Sequence, residues 1–256
     1  MLRSILAALF RRPAAAPSPQ PQPAAPKPSR PARPRHRVIM TDTNARPART
    51  ASRNSDHPGK LYCPDRLALI AFDDRARLVA PFMDAFDARF ASAVQDLPGQ
   101  VRGSITNIAA ALSMANDLIA DQHPGLLRRI WLLSDGHPNP RNQPIAQEVG
   151  RAISQRTNLN TIGIGQPGDF DRALLERIAG RTHNGRFAEA QTVTELNRAF
   201  KGAEQRRQPG SHRGEATVFV VDVSGSMLSP MGSDRRIDAV RDAMLGLLRY
   251  KQARWA

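Results

Sequence analysis

From residue 67 onward, apolar positions alternate between short continuous runs and stretches that repeat every three to four residues. The first run, 67–72 (Leu-Ala-Leu-Ile-Ala-Phe), predicts a strand, and Asp73-Asp74 turns the chain into an antiparallel second strand over 76–82. Ile108, Leu112, Ala115 and Ile119 recur at helical spacing and predict a helix over 107–121. Residues 129–134 (Arg-Ile-Trp-Leu-Leu-Ser) then predict a buried parallel strand. Helix 144–155, strand 160–164, helix 171–179, strand 186–190 and helix 194–205 follow, the last with Thr192 or Thr194 as its N-cap. After a polar stretch comes the most apolar strand, 217–221, ending in Asp222. Asp234 is the expected cap of a last helix, in which Ile237, Val240, Met244, Leu247, Leu248 and Lys251 share one side. Strands alternating with helices predict an α/β fold. The expected form is a doubly wound, mostly parallel open sheet with one antiparallel edge strand and helices on both faces.

The chain before residue 61 has a different character. Nine prolines lie between Pro13 and Pro34, and 35–60 is polar with no apolar face. Residues 1–60 therefore read as a basic Pro/Ala-rich disordered tail. One domain is expected over 61–256, made of 61–205, a linker over 206–216 and a closing unit over 217–256. Charge supports that division. The formal net charge of +14 resolves into +10 within residues 1–60 and only +4 beyond them. Nucleic acid would thus be held only weakly, through the tail, which lacks the interleaved aromatics that stack on bases. A single cysteine excludes a disulfide framework and a cysteine zinc cluster. No apolar run is long enough for a membrane span, and Arg11 and Arg12 break the closest approach at 2–10. A cytoplasmic location is the expectation.

Three segments place oxygen-bearing side chains just past predicted strand or loop ends: Asp222-Val-Ser224-Gly-Ser226, Thr106 after Gly103-Ser-Ile, and Asp135 after the 129–134 strand. Carboxylates and hydroxyls together form a hard, all-oxygen set suited to Mg²⁺ or Mn²⁺. Taken alone, Ser-Gly-Ser also fits a plain strand-to-helix loop with Asp222 as a helix cap.

Val-Phe-Val-Val-Asp222-Val-Ser224-Gly-Ser226-Met resembles the metal-ion-dependent adhesion site (MIDAS) of von Willebrand factor type A (vWA) domains. Gly103-Ser-Ile-Thr106-Asn-Ile-Ala-Ala-Ala-Leu resembles the threonine segment of that family, and Leu-Leu-Ser-Asp135-Gly-His-Pro-Asn its aspartate segment. Asp65-Arg-Leu-Ala-Leu-Ile-Ala-Phe-Asp-Asp resembles its second strand and hairpin. The resemblance spans about 61–256 and implies a vWA/Rossmann-like sheet. It also implies a metal site of Asp222, Ser224, Ser226, Thr106 and Asp135, with the serines coordinating directly and Thr106 or Asp135 acting directly or through water. The order of motifs departs from the family, where the Asp-x-Ser-x-Ser strand comes first and lies centrally. A circular permutant, a domain swap and a truncated tandem array would each account for that. The permutant is preferred, because every element occurs once. A decayed first strand at 38–42 (Val-Ile-Met-Thr-Asp) lacks the serines.

Weaker signals remain. Gly163-Ile-Gly165-Gln-Pro-Gly168 matches a dinucleotide fingerprint, but Asp169 and Asp171 stand where a pyrophosphate would sit. His137 reads as a solvated loop residue and Cys63 as a small apolar one, while Trp255 is either packing or an exposed anchor. Ser224 lies outside any G-x-S-x-G elbow. The resulting expectation is a binding module without catalytic residues or a small-molecule substrate. Its MIDAS ion would take an Asp or Glu carboxylate from a protein partner, by resemblance in a scaffold or adaptor role beside an AAA+ ATPase system. The competing reading is a metal-dependent hydrolase on the same Mg²⁺ site, with His137, Asp73 or Asp74 as the only arguable bases.

Overall fold

Residues 67–72 are fully buried on both sides, so the strand that carries them needs cover on two faces. A computed structural model describes residues 65–139, 143–205 and 214–255. The tail 1–60, Cys63, the candidate strand 38–42 and most of the expected linker lie outside them. Strand β1 (Arg66–Phe72) turns at Asp73, whose side chain accepts from the Arg75 backbone at 3.1 Å, into β2 (Ala76–Asp84). Then follow α1 (Ala88–Gln95), α2 (Ile108–Ala120), β3 (Leu127–Ser134), α3 (Ile145–Ser154) and β4 (Asn158–Ile164). The chain continues through α4 (Arg172–Gly180), β5 (Phe187–Ala190), α5 (Val193–Gln205) and β6 (Glu215–Asp222). A two-residue hairpin of β7 (Pro230–Met231) and β8 (Asp234–Arg235) leads into α6 (Arg236–Trp255).

The main sheet runs in the order β2-β1-β6-β3-β4-β5, parallel throughout except for the antiparallel edge strand β2. The last long strand of the chain therefore lies in the middle of the sheet. In β6, Ala216 stands opposite Arg66 and Asp222 opposite Phe72, while Glu215 to Val221 pair with Leu127 to Leu133 on the other side. No residue of β6 is exposed, as expected of a central strand with both faces covered.

Alternate side chains feed two cores. On one face α1, α5 and α6 cover Leu67, Leu69, Trp131 and Phe219. There the Trp131 and Phe200 rings meet edge-on at 5.1 Å, and Phe200 and Phe219 at 5.9 Å. On the other face α2, α3 and α4 cover Ala68, Ile70, Ile130, Leu132, Val218 and Val220.

Two local findings differ from expectation. Helix α1 was not anticipated, although Phe90 and Val94 repeat at helical spacing, Asp87 caps Arg89 N, and Leu97 in the next turn is also buried. The other concerns Asp234, which lies in the short hairpin instead of capping the last helix. Helix α6 begins two residues later because the Arg236 backbone bonds back to Ser229 O at 3.0 Å. Of the two candidate caps of α5, Thr192 is the one used, its hydroxyl accepting from Glu195 N at 3.2 Å.

Candidate metal centre

Strand β6 delivers Asp222 to the C-terminal edge of the sheet with no solvent exposure. Its carboxylate accepts from Ser134 Oγ at 2.6 Å and from the Ser224 backbone at 2.9 Å. The loop that follows is pinned by backbone bonds to two neighbouring segments: Val223 N to Phe72 O at 2.8 Å and Gly225 N to Gly103 O at 3.0 Å. Gly225 suits the close approach, since a Cβ there would lie 3.2 Å from Gly103 O.

That loop brings the serines to Asp135. Ser224 Oγ and Ser226 Oγ are 3.0 Å apart, and Ser226 Oγ donates to Asp135 Oδ1 at 2.8 Å. Thr106 reaches the same place from the segment before α2. A Cβ on Gly136 would stand 2.8 Å from Thr106 Oγ1, so glycine beside Asp135 leaves room for the threonine. Asn139 N and Gln143 Nε2 hold the Thr106 carbonyl at 3.1 and 2.8 Å. All five expected residues thus converge, four through a chain of hydrogen bonds and Thr106 through its packing on Gly136. The two carboxylates and Ser224 are buried, whereas Ser226 is exposed, so the cluster opens to solvent on the serine side.

Arg236, in the first turn of α6, was not anticipated at this site. Its Nη1 donates to Asp135 Oδ2 at 2.8 Å and its Nη2 pairs with Asp169. Spacing alone gives no signal for it, because Asp135 lies 101 residues earlier in the chain. Ser134, inside the Leu-Leu-Ser-Asp135 segment, is a further hydroxyl at the site through its bond to Asp222.

Burial dominates the electrostatics. The Asp222 carboxyl is pushed up to about 7, first by loss of water and then by the charge of Asp135, against the opposing bonds from Ser134 and Ser224. Burial also raises Asp135, despite the bonds from Arg236 and Ser226 that favour its charged form. The oxygens of these two buried carboxylates, with three hydroxyls beside them, make a donor set that fits a hard divalent cation.

The other candidates are differently engaged. Burial would raise Asp73, but a two-pronged pair with Arg77 (2.9 and 3.1 Å) and the Arg75 bond bring it below the usual range. Asp74 is exposed, and exposed His137 lies 3.3 Å from Gly168 O. In the glycine-rich loop, Asp169 accepts from Gln166 N at 2.7 Å and Asp171 caps Leu174 N at 2.9 Å, so carboxylates fill the helix entrance.

A second acidic group lies at the opposite edge of the sheet. Asp65, Glu204 and Glu215 are buried with ligand atoms within 4.8 Å of one another, close enough to hold a cation. Two cations are already there. Lys251 Nζ is 2.8 Å from Asp65 and 2.9 Å from Glu204, and Arg129 Nη1 is 2.9 Å from Glu215. This cluster is an ion-pair network in its own right.

Comparison with known proteins locates the chain. A search of curated proteins found no match. One solved structure, described as von Willebrand factor type A from Catenulispora acidiphila, is 21% identical with a TM-score of 0.43; it covers 49% of this chain, which spans 29% of that one. An uncharacterized membrane spanning protein from Vibrio fischeri is 25% identical with a TM-score of 0.29, covering 57% of this chain and 77% of its own. A second family model described as von Willebrand factor type A domain matches residues 15–74, a stretch that includes 38–42 and β1. The principal model of that description matches residues 63–202, more than half of the 256 residues. The chain belongs to the von Willebrand factor type A domain family.

Proposed function

We propose that this vWA domain is a divalent-metal-dependent protein-binding module whose MIDAS is completed by the end of the chain. The observation that carries the reading is the Ser224–Ser226–Asp135 hydrogen-bonded chain beside Asp222 and Thr106. It gathers hard oxygen donors from segments far apart in sequence at one edge of the sheet. Ser224 and Ser226 would hold the ion directly, with Asp222, Thr106 and Asp135 directly or through water. A bound Mg²⁺ or Mn²⁺ supplies positive charge and an exchangeable coordination position, which an Asp or Glu carboxylate of a partner can take. Ser134 and the Ser224 backbone orient Asp222, and Arg236 fixes the outer oxygen of Asp135. Exposed Leu228 (46%) and Ile105 (36%), close in sequence to Ser226 and Thr106, offer apolar contact to a protein surface.

The motif order is read as a circular permutation, with β6 and α6 standing where the first strand and helix of the family belong. In support, β6 fills the slot between β1 and β3, in register with both. A cytoplasmic scaffold working beside an AAA+ ATPase is the setting that the family resemblance suggests. The hydrolase alternative is disfavoured by Asp73, whose oxygens Arg77 occupies.

Equilibrium binding of Mn²⁺, followed by electron paramagnetic resonance of the free ion, tests the site. One site is expected on the full chain, weakened about tenfold or more in Ser226→Ala, a loss of about 1.4 kcal/mol or more. Unchanged binding by Ser226→Ala would reject the assignment.

A further inference from the structure

Beside the metal centre, helices α3 and α4 lie over the sheet without closing on each other, α3 leaning on α2 and α4 on β4. Between them is a groove of about 560 Å³ whose lining includes His137, two residues past Asp135, and Arg181. Apolar side chains on both helices line it: Val149 and exposed Ile153 from α3, Leu174 and Ile178 from α4. That size is typical of ligand-binding clefts.

Two features indicate what fits it. Arg177 and Arg181, one helical turn apart, stand exposed on the rim and have no ion-pair partner among the described residues. The acidic lining residue, Asp171, is occupied in capping α4 at its Leu174 N. The lining carries two guanidiniums against one carboxylate, a positive excess complementary to carboxylates. The second feature is Gly150, in the middle of α3 and on the groove wall. A Cβ built there meets nothing within 4 Å. Glycine weakens a helix interior, and no close approach requires it here, so a larger side chain at 150 would extend into open space beside the groove.

We propose that the α3–α4 groove is a docking surface for an apolar helical segment of a protein partner, one flanked by acidic residues. Leucine-like side chains would lie on Val149, Ile153, Leu174 and Ile178, and carboxylates would meet Arg177 and Arg181. The inference rests on the reading of this domain as an interaction module, and it gives that partner a second, metal-independent point of contact next to the MIDAS.

The test uses the full chain and a fluorescein-labelled amphipathic peptide with leucines on one helical face and glutamates on the other, read by fluorescence anisotropy. Saturable binding is expected. It should weaken at least about tenfold when lysines replace the glutamates, in Arg177→Glu/Arg181→Glu, and in Gly150→Leu, which fills the groove. Gly150→Leu should unfold at the same temperature as the parent or higher, since leucine favours the helix, so its loss of binding would not reflect misfolding. Binding should persist in EDTA, which separates this proposal from the metal reading. No binding, equal binding of the lysine peptide, full affinity in Gly150→Leu, or loss in EDTA would each overturn it. So would binding seen only once residues 1–12 are removed, which would assign the groove to the chain's own apolar 2–10 stretch.

Discussion

Asp222 holds its proton because strand β6 leaves it without water, and the charge of Asp135 adds to that effect. An ordinary aspartate titrates near 3.8, whereas Asp222 does so at about 7. Between those values the folded, metal-free protein keeps a proton that the unfolded chain has released. Stability from this group is therefore full below about pH 4 and lost as pH rises toward 7. Asp135, also raised, acts in the same direction. On the proposed reading, a proton and a divalent ion are alternative ways of neutralising this carboxylate, with Arg236 supplying positive charge at Asp135. Urea unfolding in EDTA should show the parent less stable at pH 8 than at pH 5. In Asp222→Asn most of that slope should vanish, leaving the variant more stable than the parent at pH 8 by on the order of a few kcal/mol. An unaltered slope would mean that Asp222 is not the group responsible.

At the scale of elements, the end of α6 is fastened by Lys251. Burial alone would depress its ammonium, but Glu215, Glu204 and Asp65 hold it above the ordinary value, so it is charged in the folded protein. These acids come from β6, α5 and the residue before β1, so one side chain links four segments around the sheet's N-terminal edge. Lys251→Met removes one cation from three buried acids and should cost about 3–5 kcal/mol in urea unfolding at neutral pH. A loss below about 1 kcal/mol would show that the network does not need it. Lys251 also marks how far the sequence could be read. Its spacing put it on the apolar side of the last helix, where it is, but Asp65 lies 186 residues away and no periodicity reveals that pairing. Buried strands such as 67–72 and 217–221 were legible because their apolar runs are continuous. Helix α1 was not, because its buried residues Phe90 and Val94 are spread among polar ones. The five converging oxygen donors were named from local motifs. Arg236 and Asp169 were missed, because they join the site only through the packing of α6 against the loop after β4.

At the scale of the molecule, the central strand is supplied by the end of the chain, and the candidate ligands come from both sides of it. Asp222, Ser224 and Ser226 follow β6, while Thr106 and Asp135 belong to segments more than 80 residues earlier. A site built this way exists only when the sheet is complete, so ligand binding and folding are coupled. Thermal unfolding of the full chain in EDTA, Mg²⁺ and Mn²⁺, for the parent and for Asp222→Ala, measures that coupling most directly. Metal at about 100 times its dissociation constant adds about 2.7 kcal/mol. At about 2–4 °C per kcal/mol for a domain of this size, the midpoint should rise by roughly 5–10 °C in one cooperative transition. The rise should be absent in Asp222→Ala. A broad transition that ignores metal, or a rise that the variant keeps, would contradict a metal centre completed by β6.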